Sequence, residues 1–131
     1  MRYITFAILI LGLTACAATK LSPKKLSSGS WLLERAYEKK VNVTNRENPN
    51  RDRVITFNED GSFSSTGAPY GNISGRWEIT EEGALSLIPD GNGAEPGPSV
   101  WRVEMDKLSM KWRSAGGETP EGLELYWSRQ K

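Results

Sequence analysis

From residue 30 onward the chain alternates apolar and polar side chains almost without a break, and no stretch carries a helical period. Alternation of period two sends successive side chains to opposite faces, so each such run reads as a half-buried β-strand. "SWLLERAYEK" opens the pattern, with Trp31, Leu33 and Arg35 on one face and Leu32, Glu34 and Ala36 on the other. In "RVITFNEDGSFSST" the apolar positions are Ile55, Phe57 and Phe63, and Asp60-Gly61 stands where a hairpin must turn. "NISGRWEIT" groups Ile73, Gly75, Trp77 and Ile79. Leu85 and Leu87 follow in "GALSLIP", then Trp101, Val103 and Met105 in "SVWRVEMD". Leu108, Met110 and Trp112 share a face in "KLSMKWRS", as do Leu123, Leu125 and Trp127 in "GLELYWSRQ".

These are 7–8 short strands, separated by Asp-Gly, Glu-Gly, Asp-Lys and longer Gly/Pro loops. Strands so evenly spaced predict an all-β meander, and closing it into a ring removes the exposed edges. The expected fold is a small antiparallel up-and-down β-barrel over 30–131. Two connections are long and glycine-rich, "PDGNGAEPGPS" at 89–99 and "SAGGETPEG" at 114–122. The polar stretch "KKVNVTNRENPNRDR" at 39–53 reads as a long connection with room for an edge strand around Val41 to Val43. An eight-stranded barrel can be just filled by side chains or can hold one small ligand. All five tryptophans fall on the apolar face, which favours a filled interior.

The other constraint lies at the start. Ile4 to Leu13 is nearly continuous hydrocarbon behind Arg2, about ten residues at ~1.5 Å each, half of what a bilayer crossing needs. That length fits the core of a signal peptide. Leu13-Thr14-Ala15-Cys16 resembles the lipobox of bacterial lipoproteins. The resemblance implies removal of 1–15 and a diacylglycerol on the Cys16 thiol. It makes the membrane a partner, since each buried methylene contributes about 0.8 kcal/mol and two or three chains hold stably. Residues 16–29, "CAATKLSPKKLSSG", are small, polar and broken by Pro23, and read as a lipidated, flexible tether. Ala17 lacks the aspartate that retains enterobacterial lipoproteins at the inner membrane, so the expected place is the outer membrane, facing the periplasm.

Composition removes several functions. Cleavage takes away Arg2 and no acid, leaving sixteen basic and sixteen acidic side chains of the 17 and 16 in the whole chain. Such a balanced domain has no electrostatic footprint for nucleic acid. There is no histidine, and the single cysteine is assigned to lipid, so histidine-based nucleophile systems and histidine-ligated zinc drop out. Carboxylate-only catalysis would survive, but no acid sits in a recognisable motif. The chain is therefore read as a non-enzyme without cofactor or metal.

"GSW-L" at 29–33, "ITFNEDGSF" at 55–63, "GRWEI" at 75–79, "ALSL" at 84–87 and "LYWSR" at 125–129 recur in an order similar to that of the lipocalin-like domains of Bacteroidetes lipoproteins. Gly29-Ser30-Trp31 also resembles the Gly-x-Trp of true lipocalins, whose tryptophan packs under the barrel against a late arginine. That resemblance implies a barrel-closing contact between Trp31 and Arg129. The META domain of other envelope lipoproteins is the second resemblance, through "F…DG" and "G.W". Its usual Gly-Cys-Asn is replaced here by "GAPYGNISG".

"FNEDGSF" and "PDGNG" lack the alternate acidic positions over about twelve residues that a calcium loop needs, and read as turns. Tyr70 and Tyr126 are the candidate exposed aromatics for a ligand or partner, and the two glycine-rich loops mark the mouth. The expected role is a non-catalytic barrel that binds a small hydrophobic ligand or lipid in the envelope. The alternative is a protein-interaction module, an envelope assembly factor or hydrolase inhibitor, with a filled core.

Overall fold

The computed structural model describes residues 21–91 and 97–130. Cys16 and the signal region lie outside them, as do five residues of the 89–99 loop. The strands are β1 (Ser30–Glu38), β2 (Val41–Asn42), β3 (Val54–Phe57), β4 (Ser62–Thr66), β5 (Ile73–Ile79), β6 (Leu85–Pro89), β7 (Ser99–Met105), β8 (Ser109–Gly117) and β9 (Leu123–Arg129). Two helical turns, α1 (Pro23–Leu26) and α2 (Thr44–Glu47), complete the body. β3 to β9 pair in sequence order, β1 pairs with β3 on one side and β9 on the other, and β2 hangs on the end of β1. The result is a closed eight-stranded antiparallel barrel with one extra strand, as the alternation predicts.

The inward positions pack as one cluster. Trp112 lies at its centre, with ring centroids 4.9 Å from Trp127, 5.4 Å from Trp101 and 6.1 Å from Phe57. Trp31, Trp101, Trp112 and Trp127 are buried, while Trp77 is only half-buried and bonds through its indole N–H to the Asn58 carbonyl. Gly75 faces inward where β4, β5 and β6 close up. A Cβ there would strike the Ile88 carbonyl and the Phe63 ring, so this inward position has to lack a side chain.

The structure departs from the sequence reading at four further places. The β1–β9 register slips between Leu33 and Arg35, so the expected inward run Trp31, Leu33, Arg35 breaks. This bulge turns Ala36 in and leaves Arg35 exposed, because one extra residue flips the faces beyond it. Leu108 sits in the β7–β8 turn at 69% exposure and does not join Met110 and Trp112. β8 runs on to Gly117, into the segment read as loop 114–122. Finally, Leu21 and Leu26 are buried in the core and the Leu26 carbonyl accepts the Trp31 indole N–H at 3.0 Å. Residues 21–29, assigned by their polarity to the tether, belong to the packed body.

Candidate functional site

The barrel has two unlike ends. At one, short turns 58–61, 80–84 and 106–108 join the strands, and α1 lies beside the entry of β1. At the other lie the 39–53 connection, the 67–72 turn and the two glycine-rich loops. The candidate site is the interior at this second end.

Its architecture comes from the connection 39–53. Val41–Asn42 forms the expected edge strand, and α2 then folds back against β1. Thr44 Oγ1 accepts the Ala36 backbone N–H at 3.0 Å. Asn48 is fully buried: its amide donates to the Leu33 carbonyl at 2.7 Å, and its Oδ1 accepts the backbone N–H groups of Asp52 and Arg53, both at 3.0 Å. This one side chain ties the connection to the bulge in β1 and sets where Arg53 enters. Gly67, at φ 95°, lets the 67–71 turn approach, since a Cβ there would strike the Asp52 carbonyl and Arg53 backbone.

Arg53 Nη1 donates to Glu47 Oε2 and to the Glu47 carbonyl, both at 3.1 Å. The two side chains are 13% and 8% exposed, so this ion pair is nearly buried. Burial draws the Arg53 guanidinium below its ordinary pKa, opposed by the Glu47 carboxylate and by Tyr70. An arginine in that setting still keeps its charge at neutral pH. Its Cζ lies 5.1 Å from the Tyr70 ring centroid and 5.8 Å from that of Trp127. Arg46 bonds Glu47 from outside and reaches Glu38 as well.

Beneath Arg53 remains a cavity of about 60 Å³, walled by Ile55, Phe63, Ile73, Leu87, Trp101 and Trp112, with Ser65 and Thr119 contributing hydroxyls. Above it, a recess of about 290 Å³ is lined by Arg53, Tyr70, Glu118, Pro120 and Leu123, among others. Buried indoles normally find an acceptor. Trp31 bonds Leu26, Trp77 bonds Asn58, Trp101 bonds Ser99 Oγ and Trp112 meets Met110 Sδ at 3.1 Å. Trp127 Nε1 is buried with no partner among the described residues.

The two expected tyrosines are not together. Tyr70 is at the mouth on Arg53, half-buried and packed against the core, and not freely exposed. Tyr126 is half-buried on the outer wall, with Arg35 at 4.6 Å, Lys111 at 5.3 Å and Tyr37 edge-on at 5.7 Å. A broad groove of about 590 Å³ runs there, but it is open and bordered by charged side chains such as Glu34, Arg35 and Lys111. Trp31 and Arg129 are direct partners in the β1–β9 register. The Arg129 guanidinium is exposed and donates to the Ser28 carbonyl at 2.7 Å, beside Gly29. Its contact with the chain's entry is thus a backbone bond in place of the expected cover over the indole. Sequence reading passed over Glu47, Asn48 and Arg53. The signal available was "REN" and "RDR" inside a long polar connection, which charge alone assigns to solvent.

Among solved structures, the fold resembles a DUF4847 family protein from Bacteroides vulgatus ATCC 8482, with a TM-score of 0.57. Sequence identity is 15%, over 81% of this chain and 96% of that one. At that identity the likeness shows the fold alone, and it fits a lipocalin-like barrel. No family model matches the sequence, and comparison with curated proteins gives no match.

Proposed function

We propose that the chain is a non-catalytic lipoprotein of the bacterial envelope, anchored through lipid on Cys16, whose barrel receives a small, largely apolar ligand at its open mouth. The observation that supports the ligand reading is the contrast between a residual interior of about 60 Å³ and a recess of about 290 Å³ above it. An acyl chain lying along the barrel axis has no room, so the reading moves from the lumen to the mouth. Support for the anchor and for the outer-membrane location comes from "LTAC" and Ala17 alone. Among the described residues no three histidine, cysteine or acidic side chains gather as metal ligands, and the role needs neither metal nor cofactor.

Two experiments test the parts separately. Cys16→Ser is expected to abolish uptake of an alkyne fatty acid and to release the protein from the membrane fraction. A variant that still labels and still pellets ends the anchor reading. Native mass spectrometry of the protein extracted from membranes is expected to show a small bound molecule. The filled core favours the second reading, a protein-interaction module, and a stable complex with another envelope protein in that spectrum would select it. Against it, the large exposed apolar residues Val41, Ile88 and Leu108 stand on β2, β6 and the β7–β8 turn and do not form one patch.

A further inference from the structure

We infer that the mouth takes a ligand whose head is an uncharged carbonyl acceptor, such as an amide or ketone, with Arg53 and the Trp127 indole N–H as its donors. This inference rests on the mouth-binding reading and names its chemistry. The N–H groups in the cavity can only donate, whereas the hydroxyls of Ser65, Ser99 and Thr119 in the same lining can turn to do either. Arg53 carries five N–H groups, and only Nη1 meets an acceptor among the described residues. Nε and Nη2 meet none among the described residues, and Arg53 helps to line the cavity. Trp127 borders the same cavity, and its Nε1 is buried with no partner among the described residues. A buried donor without an acceptor is costly, so a group that supplies one is favoured there over a purely apolar group.

Charge then decides between a neutral and an ionised acceptor. The positive charge of Arg53 is already met by Glu47, and that of Arg46 by Glu38 and Glu47. Glu118 stands on the rim of the recess. A carboxylate entering here would meet Glu47 across a shared arginine in a poorly solvated site, and like charges so placed repel. A carbonyl oxygen takes the same N–H groups without that repulsion. The cavity of about 60 Å³ fits a head of a few atoms, and the wider recess takes its apolar body.

The test is a titration of the full chain, labelled with ¹⁵N at tryptophan, using butanamide, pentan-2-one and butyrate. Trp127→Phe assigns the Trp127 indole signal. Butanamide and pentan-2-one are expected to move that signal, and butyrate to need roughly tenfold more, the repulsion from Glu47 outweighing its stronger hydrogen bond to arginine. In Glu47→Gln the carboxylate opposing an anion is gone, and the order is expected to reverse in favour of butyrate. Butyrate matching or exceeding butanamide in the unaltered chain overturns the neutral head and leaves mouth binding standing. No movement of the Trp127 signal with any probe at tens of millimolar overturns both, the cavity then holding only water.

Discussion

The two ends of the barrel are sealed by opposite chemistry. At the closed end the seal is hydrocarbon: Leu21 and Leu26 fill the space below Trp31, whose single polar atom is satisfied by the Leu26 carbonyl. At the open end the seal is an ion pair, Arg53 on Glu47, supported by a buried asparagine and with donors that meet no acceptor among the described residues. A hydrocarbon seal only improves with closer packing. A polar seal is high-stakes, because every group without a partner costs free energy until something supplies one. The difference teaches that one end is held by packing and the other by polar groups, which is where the proposed ligand would find its partners. On the proposal of an anchor at Cys16, five residues before Leu21, at most about 17 Å of chain would separate lipid from the closed end, and the open mouth would face away from the bilayer.

The largest effect is expected where the hydrocarbon seal is cut. Trp31→Ala removes a buried indole and the cover over Leu26, and is expected to cost about 3–5 kcal/mol. That is a large share of the stability of a small domain, read from the urea midpoint. A midpoint that scarcely moves would mean that α1 is no seal and that the ends are alike.

At the open end the response is expected to depend on which groups are removed together. Arg53→Met leaves the buried Glu47 with only the more exposed Arg46 as its cation and is expected to cost about 2–4 kcal/mol. Removing both, as Arg53→Met with Glu47→Leu, is expected to return most of that loss, since an apolar pair of similar volume needs no desolvation. A double variant as weak as the single would show that the pair, and not hydrophobic filling, closes this end.

These contrasts separate what the sequence revealed from what it hid. Strand after strand was legible because large inward residues recur at period two, and Trp101, Leu125 and Trp127 announce their face unaided. The β1 bulge was hidden because Arg35 continues the alternation in sequence while the register slips by one. Glu47, Asn48 and Arg53 were hidden for a different reason. A polar side chain that turns inward to bond a backbone carbonyl has the same letter as one in water, and a single turn of helix has no period. Arg129 was half legible: its pairing with Trp31 followed from closure, but its rotamer was chosen by the Ser28 carbonyl.

That Arg129 bond is a smaller lever on the closed end. Its guanidinium is exposed, so Arg129→Met is expected to cost only about 0.5–1.5 kcal/mol, the net value of an ordinary hydrogen bond. A loss as large as that of Trp31→Ala would instead make Arg129 part of the seal.

The smallest effect concerns the closed-end turn between β3 and β4. Asp60 accepts from the Ser62 hydroxyl and from the Ser62 backbone N–H, and these bonds hold its carboxyl below the usual range, with Arg76 adding to them. A carboxyl whose pKa is lower folded than unfolded stabilises the fold fully above its unfolded value of about 4. That contribution shrinks as pH falls through this value and is gone below the folded one. Asp60→Asn mimics the protonated carboxyl, so the two proteins should differ slightly in urea midpoint at pH 7 and converge in acid. Amide exchange locates the effect. At pH 7 the Ser62 N–H should exchange faster in Asp60→Asn, because its bond is no longer charge-assisted. The Asp52 and Arg53 N–H groups, held by Asn48 at the other end, should keep their protection. If all three loosen together, the barrel opens as one unit and its two ends are not independent seals.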